Sequence, residues 1–336
     1  MHDLVIRNAT LIDGSGTTRR VADVAVDGTL FADVGEGIGP GGREIDAQGL
    51  LLTPGWVDIH THYDGQATWD PHLTPSSWHG VTTAVFGNCG VGFAPVKPGS
   101  ERYLINLMEG VEDIPETVLA EGIDFRWESF GQYLESLATM PRIMDIGAQL
   151  PHGVLRFYVM GERGADHAQG PTSDEIERMG RLLEEALAQG ALGLTTSRTI
   201  KHRAKDGRYT PSLSAAEPEL AGLAAAMRRA GRGVIEVNSD FEAGDFDRLR
   251  QVAELAQRPL TVLLLQVHHT PERWRETLAG IRAARAAGLE VTGQVGSRAI
   301  NIMMGLEATV HPFVTHPLWQ AMAKLSPAER VQRIAG

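Results

Sequence analysis

Two histidines separated by one residue, His60-Thr61-His62, end the apolar run LLTPGWVDIH. Alternate residues of a strand face the same side. Both imidazoles can therefore grip one ion, and imidazole suits zinc. Such a pair is common by chance, and its bland alternative is two surface or hydrogen-bonded histidines. Its position at the end of the first long apolar run favours ligands. Cys89 closes the next run, TTAVFGNCG, flanked by Asn88 and Gly90 rather than by aliphatic residues. A nearby cation favours the thiolate, which makes this sulfur a candidate ligand. The alternative is a buried, inert cysteine.

His268 and His269 end a later run, PLTVLLLQVHH. Strand alternation lets only one of them face the site. His268 shares a face with Gln266 and is preferred, with the other histidine structural. Asp64, in HTHYDGQ, is a candidate for orienting a ligand histidine or for capping a turn. Arg198, in TTSRT, is a candidate for holding a substrate carboxylate bidentately, against the alternative of a surface ion pair.

Residues so far apart in sequence need a scaffold that brings strand ends together. The first fifty residues read as short β pieces broken by Gly, Asp and Asn, hence hairpins of a small β domain. From Leu51 the pattern changes. Apolar runs (IMDIGAQL, ALGLTTS, GVIEVNS, PLTVLLLQVHH, GLEVTGQVG) alternate with helical stretches. TSDEIERMGRLLEEALAQG has a Thr or Ser cap, Glu175 in its first turn and Gly190 as its stop. Buried strands alternating with helices imply a parallel sheet. About seven strands are countable by pattern, and no glycine-rich dinucleotide loop follows the first. The expected class is α/β, a (β/α)8 barrel whose site lies at the C-terminal strand ends. Residues 92–127 break the rhythm and are expected to be an inserted excursion.

Composition bounds the partners. The 336 residues are 43% hydrophobic and 22% charged, with a formal net charge of −11. No basic patch or stripe marks a nucleic-acid binder, and the acidic balance argues against an anionic membrane surface. The single cysteine excludes an intramolecular disulfide. No basic-then-apolar leader is apparent at the start, and no apolar run approaches the ~20 residues of a membrane span. The expectation is a cytoplasmic protein acting on a small molecule.

GWVDIHTHYDGQ and SSWHGVTTAVFGNCGVGFAPV resemble the D-aminoacylase-like branch of the metal-dependent amidohydrolase superfamily. DLVIRNATLIDG and LLTPGWVDIHTH resemble that superfamily more widely. The resemblance covers nearly the whole chain and is strongest up to Cys89. It implies a TIM-like (β/α)8 amidohydrolase barrel with a β-sandwich assembled from both chain ends. It also implies one or two Zn2+ ions, and hydrolysis of N-acyl-D-amino acids to a carboxylate and a D-amino acid. By this resemblance His60, His62 and Cys89 are metal ligands, joined by His268 or His269, and the protein is a homo-oligomer.

Two departures stand out. Where the family carries a histidine ligand in a Thr-His-x-Arg-like segment, this chain reads EVNSDFEAGD, and of Asn238, Ser239 and Asp240 only Asp240 is a good ligand. The family's eighth-strand aspartate has no counterpart before Gly336. The expectation is therefore residues 1–50 as a β-sandwich part and residues 51–336 as an incomplete barrel. No catalytic base is assigned, and this 336-residue chain is expected to hydrolyse its substrate poorly or not at all. The alternatives are an amidohydrolase acting on a cyclic amide or other C–N bond, and a catalytically inactive metal-binding fragment.

Overall fold

The computed structural model describes residues 1–242, 244–267, 270–297, 305–306, 311–314, 316–323 and 325–335. The chain divides into two compact units: Met1–Val57 with Trp78–Thr83, and Asp58–Ser77 with Ala84–Gly336.

The first unit is built on β1 (His2–Leu11), β2 (Arg20–Asp27), β3 (Leu30–Gly35), β4 (Gly41–Asp46) and β5 (Leu51–Leu52). They form one five-stranded sheet in the order β3-β2-β1-β4, with β5 also on β1. The β1–β2 and β2–β3 pairs are antiparallel, as hairpins require. The β4 and β5 pairings with β1 are parallel, which hairpins cannot produce. Alternation along β1 and β2 buries Val5, Ala25 and Ile38 in one small cluster and Leu11, Ala22 and Val24 in another. The run LLTPGWVDIH is interrupted. Leu51–Leu52 joins this sheet, and a separate strand, β6 (Trp56–Asp58), begins after Pro54, which has no N–H to give a ladder.

The second unit is α/β. The end of β7 (Val81–Phe86) neighbours β8 (Asp145–Ala148), and Gln149 N–H donates to the Phe86 carbonyl at 2.9 Å. Then come β9 (Leu150–Pro151), β10 (Gly193–Arg198), β11 (Val234–Ser239), β12 (Leu260–Leu263) and β13 (Val291–Gln294). These five lie side by side in chain order and every pairing is parallel. Helices stand between successive strands, as parallel pairing demands. They are α1 (Glu101–Glu112), α2 (Glu116–Gly122), α3 (Phe130–Ala138), α4 (His152–Met160), α5 (Glu162–Ala165), α6 (Ser173–Gln189), α7 (Glu217–Ala230), α8 (Asp245–Ala256) and α9 (Arg273–Ala286).

The expected cap of α6 is realised. Thr172 Oγ1 accepts from Glu175 N–H, Glu175 returns the bond to Thr172 N–H, and Gly190 ends the helix in the left-handed region. The irregular stretch 92–127 contains α1 and α2. Among the described residues no helix is long and apolar enough to cross a membrane.

One buried polar network ties three of these elements. Arg156 on α4 donates to Glu219 Oε2 at 3.0 Å, and Glu219 Oε1 lies 3.1 Å from His152 Nε2, with Arg156 and Glu219 both 1% exposed. His152 Nδ1 reaches Thr196 Oγ1 on β10 at 3.0 Å. Removing one partner leaves an uncompensated buried charge. Glu219→Ala is expected to destabilise the protein by about 3–5 kcal/mol, read as a shift of the urea unfolding midpoint. A loss under about 1 kcal/mol, the value of an exposed pair, would show that water replaces the carboxylate.

Candidate metal centre

Cys89 sits in a tight turn, Asn88–Gly90, directly after β7. Three residues at the turn have positive φ: Gly87 at 80°, Cys89 at 55° and Gly90 at 69°. Gly87 is glycine for a second reason, because a Cβ there would lie 2.1 Å from the Gln149 carbonyl oxygen. The turn is pinned on all sides. Asn88 Nδ2 donates to the Thr61 and Val85 carbonyls, each at 3.0 Å, while Gln149 Nε2 donates to Asn88 Oδ1 at 2.8 Å. Gly90 N–H donates to Thr195 Oγ1 at 3.1 Å, and Cys89 N–H donates to Glu236 Oε2 at 3.1 Å.

Around this sulfur the expected pair converges. His60 Nε2 is 3.3 Å from Cys89 Sγ, and the His60 and His62 rings are 5.5 Å apart. The nearest ligand-type atoms of His60, His62 and Cys89 all lie within 4.8 Å of one another. The other nitrogen of His60, Nδ1, is 2.9 Å from Gln294 Oε1 at the end of β13. The two histidines follow β6 rather than lying in it, and the Thr61 N–H and hydroxyl, both bonded to the Val85 carbonyl, hold their segment.

Two acids and a histidine outside the expected set, together with the expected Asp64, complete the cluster. Glu112, the last residue of α1, places Oε1 3.1 Å from His62 Nε2. Glu236, fully buried on β11, holds Oε1 3.8 Å from His60 Nδ1. His202, in the loop after β10, has Nδ1 2.9 Å from Ser197 Oγ and Nε2 3.3 Å from Asn238 Nδ2. Asp64 is 1% exposed, and its Oδ2 has no hydrogen-bond partner among the described residues. Of these, Glu236 left a sequence signal: a carboxylate inside the apolar run GVIEVNS, on the same strand face as Asn238. Glu112 and His202 left none, since each is brought in by a segment with no ligand-like spacing.

Burial governs the electrostatics. It pushes Asp64 and Glu236 up to about 8, and Glu112 also to about 8, helped by the charges of Asp64 and Asp113. It pushes the Cys89 thiol well up, reinforced by Glu236 and Glu112. His202 is lowered to about 4, and His60 and His62 are lowered too, chiefly by burial. Without a cation the cluster is held near neutrality. A bound cation would favour the thiolate and carboxylates.

The remaining expected residues stand elsewhere. Asp240 does not join the cluster: its carboxylate accepts from Thr199 Oγ1 and Ile200 N–H, each at 2.8 Å, and pairs with Lys201 at 3.0 Å, so it ties down the loop after β10. Arg198 is 10% exposed in its side chain and is spent on Asp245 (3.1 Å) and the Ala215 carbonyl (3.0 Å), not held out towards a substrate. His268 and His269 lie outside the described residues.

Residues 43–334 match the amidohydrolase family. The chain is 32% identical over 291 residues to a D-aminoacylase of Alcaligenes xylosoxydans xylosoxydans, across 84% of this chain and 55% of that protein. It is also 32% identical to an N-acyl-D-aspartate deacylase of the same organism, across 84% and 54%. Among solved structures, an N-acyl-D-glutamate deacylase from Bordetella bronchiseptica, complexed with zinc and a phosphonate inhibitor, superposes with a TM-score of 0.69. That match has 27% identity and covers 87% of this chain and 58% of that one. The chain spans about half the length of the curated relatives it matches.

The Cys89 turn makes a direct prediction. In metal-free native protein the thiol, 2% exposed, should react with a disulfide reagent far more slowly than in urea. Gly87→Ala, which forces a side chain into the left-handed region at a cost of about 1–3 kcal/mol and against the Gln149 carbonyl, should speed that reaction. A native rate equal to the unfolded rate would mean that the sulfur is not enclosed by this turn.

Proposed function

We propose, on the premise that this chain belongs to the amidohydrolase family, that its metal centre serves the hydrolysis of N-acyl-D-amino acids to a carboxylate and a free D-amino acid. The observation that carries this reading is the convergence of His60, His62 and Cys89 at the ends of α/β strands. The names of the relatives, a D-aminoacylase and an N-acyl-D-aspartate deacylase, supply the substrate class.

The residues fit an ion. Two imidazoles and a sulfur are a donor set suited to zinc. Two buried atoms beside them, His62 Nδ1 and Glu236 Oε1, have no hydrogen-bond partner among the described residues. Burial keeps both imidazoles in the neutral form that ligation requires. A divalent ion bound here would acidify water and polarise an amide carbonyl.

The chain's own residues set the geometry. Gln294 Oε1 accepts from His60 Nδ1–H, which leaves Nε2 directed at the sulfur. Glu236 fixes the turn that presents the thiol by accepting the Cys89 N–H. The same reading takes the second unit as part of a (β/α)8 barrel and the first as part of a β-sandwich, with the boundary expected at residue 50 moved on because Leu51–Leu52 pairs with β1. The parallel order of β9 to β13 supports the barrel. A cytoplasmic location agrees with the single unpaired cysteine.

The test is release of free D-amino acid from N-acetyl-D-amino acids by zinc-loaded protein, beside the L enantiomers and a cyclic amide. The D substrates should be preferred. Cys89→Ala and His62→Gln should lose zinc by elemental analysis. They should also lose at least ~100-fold in kcat/KM, as expected when several kcal/mol of metal-derived stabilisation disappears. Preferential opening of the cyclic amide, or full zinc occupancy after both substitutions, would sink the proposal.

A further inference from the structure

One strand grips Cys89 at both ends. Glu236 and Asn238 alternate along β11 and so share a face. Glu236 accepts the Cys89 N–H at 3.1 Å, while the Asn238 amide nitrogen lies 3.6 Å from Cys89 Sγ. The carboxylate meets the backbone, and the amide meets the sulfur. The neighbouring strand is in step with this face. In the parallel β10–β11 pair Thr195 stands opposite Glu236 and Ser197 opposite Asn238. Thr195 accepts the Gly90 N–H at 3.1 Å, and Ser197 reaches His202 in the loop after β10.

From the sulfur outwards, each hydrogen bond settles the next. A thiolate that ligates a cation accepts hydrogen bonds and donates none, so Asn238 must turn an N–H rather than its carbonyl towards it. The Asn side-chain nitrogen carries two hydrogens, and the same nitrogen is 3.3 Å from His202 Nε2. That ring nitrogen must then offer its lone pair. Burial lowers His202 to about 4, so the ring is neutral at pH 7, with one donor and one acceptor. Its proton therefore sits on Nδ1, which donates to Ser197 Oγ at 2.9 Å. Ser197 is fixed in turn: its N–H donates to Ser212 Oγ at 3.2 Å, and the Ser212 hydroxyl donates to the Ser197 carbonyl at 2.9 Å. Ser197, Ser212, Asn238 and Cys89 are all buried, which keeps water from competing for these bonds. The residues that follow on the chain are spent elsewhere, Ser239 on Asp245 and Asp240 on residues 199–201.

We propose that Asn238 is a positioning residue of the metal centre: it donates one N–H to the Cys89 sulfur, and His202 orients the amide by accepting the other. The inference rests on the metal reading above and deepens it, since it assigns a task to two residues that touch the ligand sulfur or its partner without ligating. A hydrogen bond to a ligand sulfur draws charge from it and tunes the centre. The sulfur then offsets less of a bound cation's charge, which leaves more of that charge to polarise an amide carbonyl.

Cobalt(II) alone is the probe, because sulfur-to-cobalt charge-transfer absorption reports the sulfur lone pairs. Removing a hydrogen bond raises those lone pairs in energy and moves the band to longer wavelength. Metal-free wild type, Asn238→Leu, His202→Leu and His202→Gln are titrated with Co2+. Asn238→Leu should move the band to longer wavelength and weaken cobalt binding by about 10–100-fold, as loss of an outer partner does. His202→Leu should move the band in the same direction by less. His202→Gln, whose side-chain carbonyl can accept the Asn238 N–H, should return it towards the wild-type position. Circular dichroism identifies the variants that fold, and either folded leucine variant decides the matter. A band at the wild-type wavelength in that variant, whatever its affinity, overturns this inference and leaves the His60–His62–Cys89 centre standing. A wild type that binds no cobalt, or binds it without a sulfur band, overturns both.

Discussion

The turn from Gly87 to Gly90 cannot be rotated without breaking bonds to five residues of the second unit. Its amides and side chains are held by the Thr61 and Val85 carbonyls, by Gln149 beside β8, by Thr195 on β10 and by Glu236 on β11. Three left-handed residues, Gly87, Cys89 and Gly90, make the turn tight enough for Cys89 to face inwards rather than continue the strand. Because these partners lie at the ends of neighbouring strands, the registers of the sheet and of the turn fix one another. The position of the sulfur is therefore a consequence of how the strands pair, not of local sequence preference alone.

That constraint explains why so many ionisable groups tolerate one crowded space. Asp64, Glu112 and Glu236 are each pushed up to about 8, and the imidazoles are pushed down, because burial removes the water that would stabilise their charged forms. A protein interior seldom retains such groups without a partner for their charge. By contrast, the Arg156–Glu219–His152 network, a short way along the same scaffold, is internally paired and reads as structure. The difference between the two clusters is compensation. One contains its own cation, whereas the other offers donors whose natural complement is a divalent ion.

Some of the chain was legible before any coordinates. HxH spacing is local, so it places two imidazoles together whichever way the strand ends, and they are found with their rings 5.5 Å apart. The capping box of α6 is equally local, since Thr172 and Glu175 need only one helical turn to meet. The cysteine was readable from its polar, glycine-bearing flanks. The hairpin reading of the first fifty residues caught the antiparallel pairs but not the parallel β4 and β5. Pairing direction depends on where a strand returns, which short propensity patterns do not encode.

Sequence by itself thus determined the α/β alternation, the principal helix cap and the identity of a histidine pair and a sulfur with metal-ligand chemistry. Tertiary structure decided which other groups meet them. Glu236 is visible as a carboxylate inside an apolar run, but only the fold lets it accept the Cys89 N–H from 147 residues away, where β11 runs beside the turn. Glu112 and His202 arrive on an inserted helix and a loop, while Asp240 and Arg198, which carry more suggestive chemistry, are consumed by Lys201 and Asp245. Side-chain type can be read from a sequence. Whether a charge is already satisfied by a neighbour depends on the three-dimensional partners that folding alone supplies.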